Sequence, residues 1–148
     1  MAAENILEIK NLVVEYLASE TVVHAVNGVS LTVKKGETIG LVGETGAGKT
    51  TIARAVMRIL QEPPAKLREG EILYDGKDLL GIPEKEMRKI RGNKIAMIFQ
   101  DPMTALNPID KVGAQIAEAI QLHNKVTKAE AKIRATEMLE MEIGRAHV

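Results

Sequence analysis

The segment GETGAGKTT, residues 43–51, constrains the chain more than any other stretch. Gly43, Gly48, Lys49 and Thr50 fit the pattern G-x-x-x-x-G-K-[ST], the loop that holds the phosphates of a nucleoside triphosphate. The spacing has a physical reason. Glycines let the backbone curl without Cβ clashes, so that successive N–H groups point at one anion. A helix starting near Lys49 adds its unsatisfied N–H groups and the positive end of its dipole. Lys49 reaches the β and γ phosphates and the Thr50 hydroxyl suits Mg²⁺. The candidate contacts are Gly43, Glu44, Thr45, Gly46, Ala47, Gly48, Lys49, Thr50 and Thr51.

The flanks match what the loop needs, which sets aside the plainer reading of a glycine-rich turn. Before it, Thr38-Ile39-Gly40-Leu41-Val42 is a short apolar run of the buried parallel-strand kind. After it, Ile52, Val56, Ile59 and Leu60 recur at helical spacing, and Pro63-Pro64 is expected to stop that helix.

Composition excludes several classes. The 148 residues suffice for one modest domain, and Lys+Arg 20 against Asp+Glu 20 leaves no dominant basic surface for nucleic acid. With no cysteine, a disulfide framework and thiolate metal sites are excluded, which suits a reducing interior. The opening MAAENILEIK lacks the basic start and apolar run of a signal peptide. No run approaches the roughly 18 apolar residues of a membrane span, so any membrane link is expected to pass through a partner. The only aromatic residues are Tyr16, Tyr74 and Phe99.

Taken in order, ILEIKNLVVEY (6–16) alternates imperfectly, as a half-buried strand does. Residues 18–28 read as polar and irregular, with a turn-prone Asn27-Gly28 pair. Val29, Leu31 and Val33 form a second strand, so two strands of antiparallel type precede the phosphate loop. Residues 70–74 are a further strand running into the tight turn Asp75-Gly76. EKEMRKIR (84–91) reads as a short charged helix, and KIAMIF (94–99) as another buried strand. In the last third, Val112, Ile116 and Ile120 mark one helix. Thr127-Lys128-Ala129-Glu130 is a capping box opening a second, with Ala131, Ala135, Met138 and Leu139 on one face. His24, His123 and His147 have no ligand spacing, and Asp75 and Asp101 are not read as metal ligands.

With these stretches in view, the chain resembles the nucleotide-binding subunit of an ATP-binding cassette (ABC) transporter, more narrowly the ATPases of bacterial oligopeptide, dipeptide and nickel importers. HAVNGVSLTVKKGETIGLVGETGAGKTT (24–51), GEILYDGKDLL (70–80) and MRKIRGNKIAMIFQDPMTALNP (87–108) carry the resemblance. It implies an α/β P-loop NTPase fold of ABC type. Its parts are an N-terminal antiparallel β subdomain, a partial RecA-like core lacking the later core strands, and the start of a helical subdomain at about 110–141. ATP and Mg²⁺ are the implied cofactors. Tyr16 matches the aromatic that stacks on adenine. Gln100 matches the Q-loop glutamine (loop about 99–108), an oxygen ligand near Mg²⁺ and the attacking water. Lys49 and Gln100 are the implied catalytic residues, and Thr50 and Gln100 the metal-binding ones. The implied partners are a second ABC ATPase subunit, integral membrane permease subunits and, indirectly, a solute-binding protein, with no nucleic acid. The implied place is peripheral, on the cytoplasmic face of the bacterial inner membrane.

Three parts of the family pattern do not occur in these residues: a Leu-Ser-Gly-Gly-Gln segment, an apolar strand ending in Asp-Glu, and a switch histidine. Phosphoryl transfer needs such parts together, so the chain is expected to bind ATP without hydrolysing it efficiently. In the family the Asp-Glu strand pairs beside the strand at 94–98. Apolar edges at 38–42 and 94–98 are therefore expected, with poor solubility or partial folding. Residues 1–142 read as the partial nucleotide-binding domain. IGRAHV, 143–148, is what a common sequencing-adapter DNA encodes in one frame, and reads as adapter-derived. A non-transport ABC ATPase of DNA repair or translation, and a binding-only regulatory ATP module, stay open as alternatives.

Overall fold

A computed structural model of the chain describes residues 4–18, 21–100 and 106–145, with side chains through residue 142. Asp101 and the next four residues of the expected Q-loop lie outside the described residues, as do residues 146–148 of the expected adapter-derived tail. The chain divides into two compact units, Met1–Arg88 and Lys89–Val148.

The first unit is built on a four-stranded antiparallel sheet of order β2-β1-β3-β4. Its strands are β1 (Asn5–Ala18), β2 (Thr21–Lys34), β3 (Ala65–Tyr74) and β4 (Lys77–Asp78). The imperfect alternation of β1 has a structural cause. Ile9 and Val14 are an odd number of residues apart, yet both are buried. A strand has period two, so something must shift the phase between them. Asn11 does so, at φ 46, beside Gly70 of β3 at φ 116. The β1–β3 pairing is disturbed there, and resumes with Ile9↔Ile72 on one side and Val14↔Leu67 on the other. Both strands change phase together, and Tyr16, opposite Ala65, joins the face of buried Val14.

Two strand expectations are corrected. β2 does not begin at Val29 but runs from Thr21, because His24, Val23 and Val22 pair with Glu15, Tyr16 and Leu17. Residues 21–26, TVVHAV, are rich in β-branched side chains that favour a strand, and Asn27-Gly28 is absorbed as an irregularity rather than a turn. Likewise β3 starts at Ala65 rather than Gly70. The Asp75-Gly76 turn stands as read, both residues at positive φ between β3 and β4.

The helix after the phosphate loop, α1 (Lys49–Val56), buries Thr51, Ile52, Ala55 and Val56. It ends well before the prolines. Met57 caps it, Arg58 turns to φ 51, and Ile59 and Leu60 fall outside. The Arg58 guanidinium then donates to the carbonyls of Leu79 (3.1 Å) and Ile82 (2.8 Å), anchoring the segment before α2 (Glu84–Ile90). Leu79 and, on α2, Met87 are fully buried.

Neither expected parallel strand forms. Residues 38–42 and 94–99 carry no ladder beyond one isolated bridge, Arg91↔Ile95. Val42 is 94% and Ile98 98% exposed. A parallel strand needs flanking strands and cover on both faces, and neither segment finds them among the described residues of its own unit.

In the second unit, α3 (Val112–His123) packs on α4 (Lys128–Arg145) through Ala117, Ile120, Ala131 and Ala135, with Ile116 and Val126 against them. The capping box forms. Glu130 accepts from the Thr127 N–H and hydroxyl, both at 2.8 Å, and its own N–H donates back to Thr127 Oγ1 at 3.3 Å. Met138, expected on the packed face, is 47% exposed. No described helix is long and apolar enough to cross a membrane.

Candidate functional site

The phosphate loop lies in the first unit. Ala47 N–H donates to Glu44 O at 3.1 Å, closing a turn, and Ile52 N–H to Gly48 O at 3.0 Å, opening α1. Gly48 is the N-cap residue in the left-handed region, with no side-chain cap, and the first turn holds no acidic residue. Among the described residues, neither a capping side chain nor a first-turn carboxylate compensates the positive end of the helix.

Lys49 folds back over the loop, and its ammonium donates to the carbonyls of Gly43 and Glu44, each at 2.6 Å. The interior it spans is small. A Cβ built on Gly43 would stand 3.3 Å from Ala47 Cβ and 3.8 Å from Lys49 Nζ. Glycine at 43 therefore keeps the hollow open, and the arrangement suits an anion that replaces carbonyl oxygens as the partner of the ammonium. Glu44, Thr45, Gly46, Ala47 and Thr50 are exposed, while Thr51 is 9% exposed and turned inward.

Tyr16 comes to the same place from the end of β1. Its ring is half-buried, and its hydroxyl lies 3.4 Å from Thr51 Oγ1. The structure thus brings Tyr16 against Thr51, the last residue of the 43–51 segment. Gln100 belongs to the other compact unit, where it is exposed. Among the described residues no cluster of His, Asp or Glu has the makings of a metal site. Hydroxyl and amide oxygens, Thr50 and Gln100, remain the metal donors expected from the sequence.

The second unit carries a cavity of about 490 Å³ along α3 and α4, lined by Ala114, Ala117, Glu118, Lys128 and Lys132 among others. None of its lining residues belongs to the loop.

One contact had no signal in the sequence. Ala25 of β2 lies between the pairs Val14↔Val26 and Glu15↔His24, where the ladder skips a residue. Its carbonyl oxygen is 2.1 Å from where a Cβ on Gly48 would stand. The contact is made by a backbone carbonyl, which every residue carries, so no residue type at 25 announces it.

A glycine loop that leads into a bare helix N-terminus, seated against an antiparallel sheet, defines a nucleotide-binding cassette. The chain belongs to the ABC transporter family, whose sequence model matches residues 26–147. It is 47% identical over 136 residues to the oligopeptide transport ATP-binding protein OppD of Bacillus subtilis (strain 168), covering 92% of this chain and 38% of that protein. It is 46% identical over 139 residues to the probable peptide ABC transporter ATP-binding protein y4tR of Sinorhizobium fredii, covering 94% of this chain and 42% of the relative. The chain thus spans about two fifths of the length of these relatives. Among solved structures it resembles the ATP-binding cassette MJ0796, in a dimeric post-hydrolysis state bound to ADP and Pi. The TM-score is 0.77 at 26% identity, over 91% of this chain and 56% of that one.

Proposed function

We propose that this chain supplies the nucleotide-holding part of an ATPase subunit of a peptide importer, with nickel as the other candidate solute. Lys49 carries the reading. Its ammonium is already held across the loop by the Gly43 and Glu44 carbonyls, above an uncapped helix N-terminus. A triphosphate offers that ammonium charged oxygens in place of neutral ones, and charge-assisted hydrogen bonds are the stronger. Tyr16 offers a flat face for the base, which stacking recognises without hydrogen-bond readout. Thr50 offers a hard oxygen ligand of the kind Mg²⁺ prefers, and Mg²⁺ when bound would neutralise charge on the phosphates.

The likeness to the oligopeptide and peptide transport proteins supports a peptide solute, and the dimeric state of MJ0796 supports a second ATPase subunit. Permease partners and a peripheral place on the cytoplasmic side of the membrane complete the proposal, as the family resemblance implies. By itself the chain holds nucleotide without efficient turnover, since its residues include no Asp-Glu pair and no Leu-Ser-Gly-Gly-Gln segment.

Titration of the chain with MgATP, wild type against Lys49→Ala, tests the reading. The variant should bind at least about tenfold more weakly, as loss of one strong charged contact implies. Equal affinity for both proteins overturns it.

A further inference from the structure

We infer that Thr51 is a positioning residue for Tyr16. Contact between their hydroxyls fixes the aromatic ring beside the phosphate loop, so that the site prefers a triphosphate carrying a base over a bare triphosphate. The inference rests on the proposed role of Tyr16 as base platform and deepens it.

Four observations carry it. Tyr16 is paired with Val23 of β2 on one side and Ala65 of β3 on the other, so its backbone is fixed while its ring stays half-buried. Its hydroxyl reaches Thr51 Oγ1 at 3.4 Å, from a position 35 residues away in the chain. Thr51 is a stiff tether, being β-branched, 9% exposed and in the first turn of α1. That turn is itself fixed to the sheet, because Gly48 lies close against the Ala25 carbonyl of β2. The sheet and the loop therefore meet at two points, Ala25–Gly48 and Tyr16–Thr51, and the second sets where the ring stands. Ordering the ring before ligand arrives lowers the entropy lost on binding.

The test uses the full chain and two ligands, MgATP and inorganic triphosphate with Mg²⁺. Tyr16→Phe keeps the stacking face and removes the hydroxyl, and Thr51→Val removes the other hydroxyl at nearly constant shape. Each should weaken MgATP by about fivefold, the worth of one hydrogen bond, and weaken triphosphate by clearly less, since triphosphate has no base for the ring to hold. The double variant should be no weaker than either single one. Thr51→Ser, which restores a hydroxyl, should recover much of the MgATP affinity. Multiplicative losses in the double variant overturn the inference. So does a Thr51→Val loss as large for triphosphate as for MgATP, which would place Thr51 on the phosphates alone. If the wild type binds the two ligands equally, the base platform itself fails, and with it this inference. Lys49→Ala separately reports on the phosphate loop.

Discussion

Gly48 and Ala25 meet more closely than any side chain permits: a Cβ on Gly48 would stand 2.1 Å from the Ala25 carbonyl oxygen and 3.4 Å from Val26 Cγ2. The invariant glycine of the motif pattern is usually explained by what the loop must bind. Here it also has a structural duty, since the loop can seat against β2 only if position 48 has no side chain.

Gly48→Ala should therefore destabilise the chain in the absence of nucleotide. The left-handed φ of 81 costs an alanine roughly 1–2 kcal/mol, and backbone overpacking adds about 1–3 kcal/mol. Gly46→Ala is the control, because a Cβ there meets nothing within 4 Å, leaving only the conformational term of about 1–2 kcal/mol. Urea unfolding of the two variants checks this. Equal midpoints would mean that the Ala25 contact relaxes freely.

Gly70 makes a second prediction, linking the sheet to the site. A Cβ there would stand 2.7 Å from Leu12 Cα and 2.9 Å from Lys10 O, at a φ of 116. Both obstacles are backbone, so no rotamer change relieves them. Gly70→Ala should cost on the order of 3 kcal/mol. Because the phase shift beside Gly70 is what sets Tyr16 on the buried face, nucleotide affinity should fall as well. Denaturation and MgATP titration of the same variant read the two effects. A variant that loses stability yet keeps full affinity would separate the phase shift from the site.

What was legible in the sequence follows from how local each cause is. The 43–51 loop, the Asp75-Gly76 turn and the Thr127–Glu130 box are each specified by residues within a few positions, and each stands where expected. The reach of β2 through residues 21–28 depends on pairing with Glu15, Tyr16 and Leu17 across a short connection; Val22, Val23 and Val26 suit a strand, but Asn27-Gly28 reads locally as a turn. The apolar runs at 38–42 and 94–99 have strand composition, yet strands exist only with partners. The phase change at Asn11 did show, as broken alternation, but its meaning required Gly70 on the neighbouring strand.

The second unit titrates at its cap. The Thr127 N–H and hydroxyl, with Arg134 nearby, hold the Glu130 carboxyl below the usual glutamate range. A depressed folded pKa stabilises above the unfolded value of about 4.5, and that contribution is lost as pH falls through the folded pKa. Helicity of α4 should therefore weaken on acidification below about pH 4.5. Glu130→Gln, which has no carboxyl to titrate, should lose less on acidification than the wild type. Thr127→Ala should destabilise the α3–α4 pair by about 1 kcal/mol at neutral pH. Circular dichroism against pH for the three proteins decides it, and identical acid profiles would remove Glu130 as the cause.

Val42 and Ile98 frame the last prediction. Each is almost wholly exposed, at 94% and 98%, in an apolar segment without a ladder. Unpaired backbone and apolar side chains together form a template for association with another chain. The chain should self-associate in a concentration-dependent way and bind a hydrophobic dye. Val42→Ser with Ile98→Ser should reduce both, at little loss of stability, since exposed apolar side chains bury almost nothing in the folded chain. Sedimentation velocity over a concentration series measures the first effect and dye fluorescence the second. If the double variant associates as strongly as the wild type, the contact lies elsewhere, and Leu122 and Ile109, exposed at 74% and 90%, are the next surfaces to change.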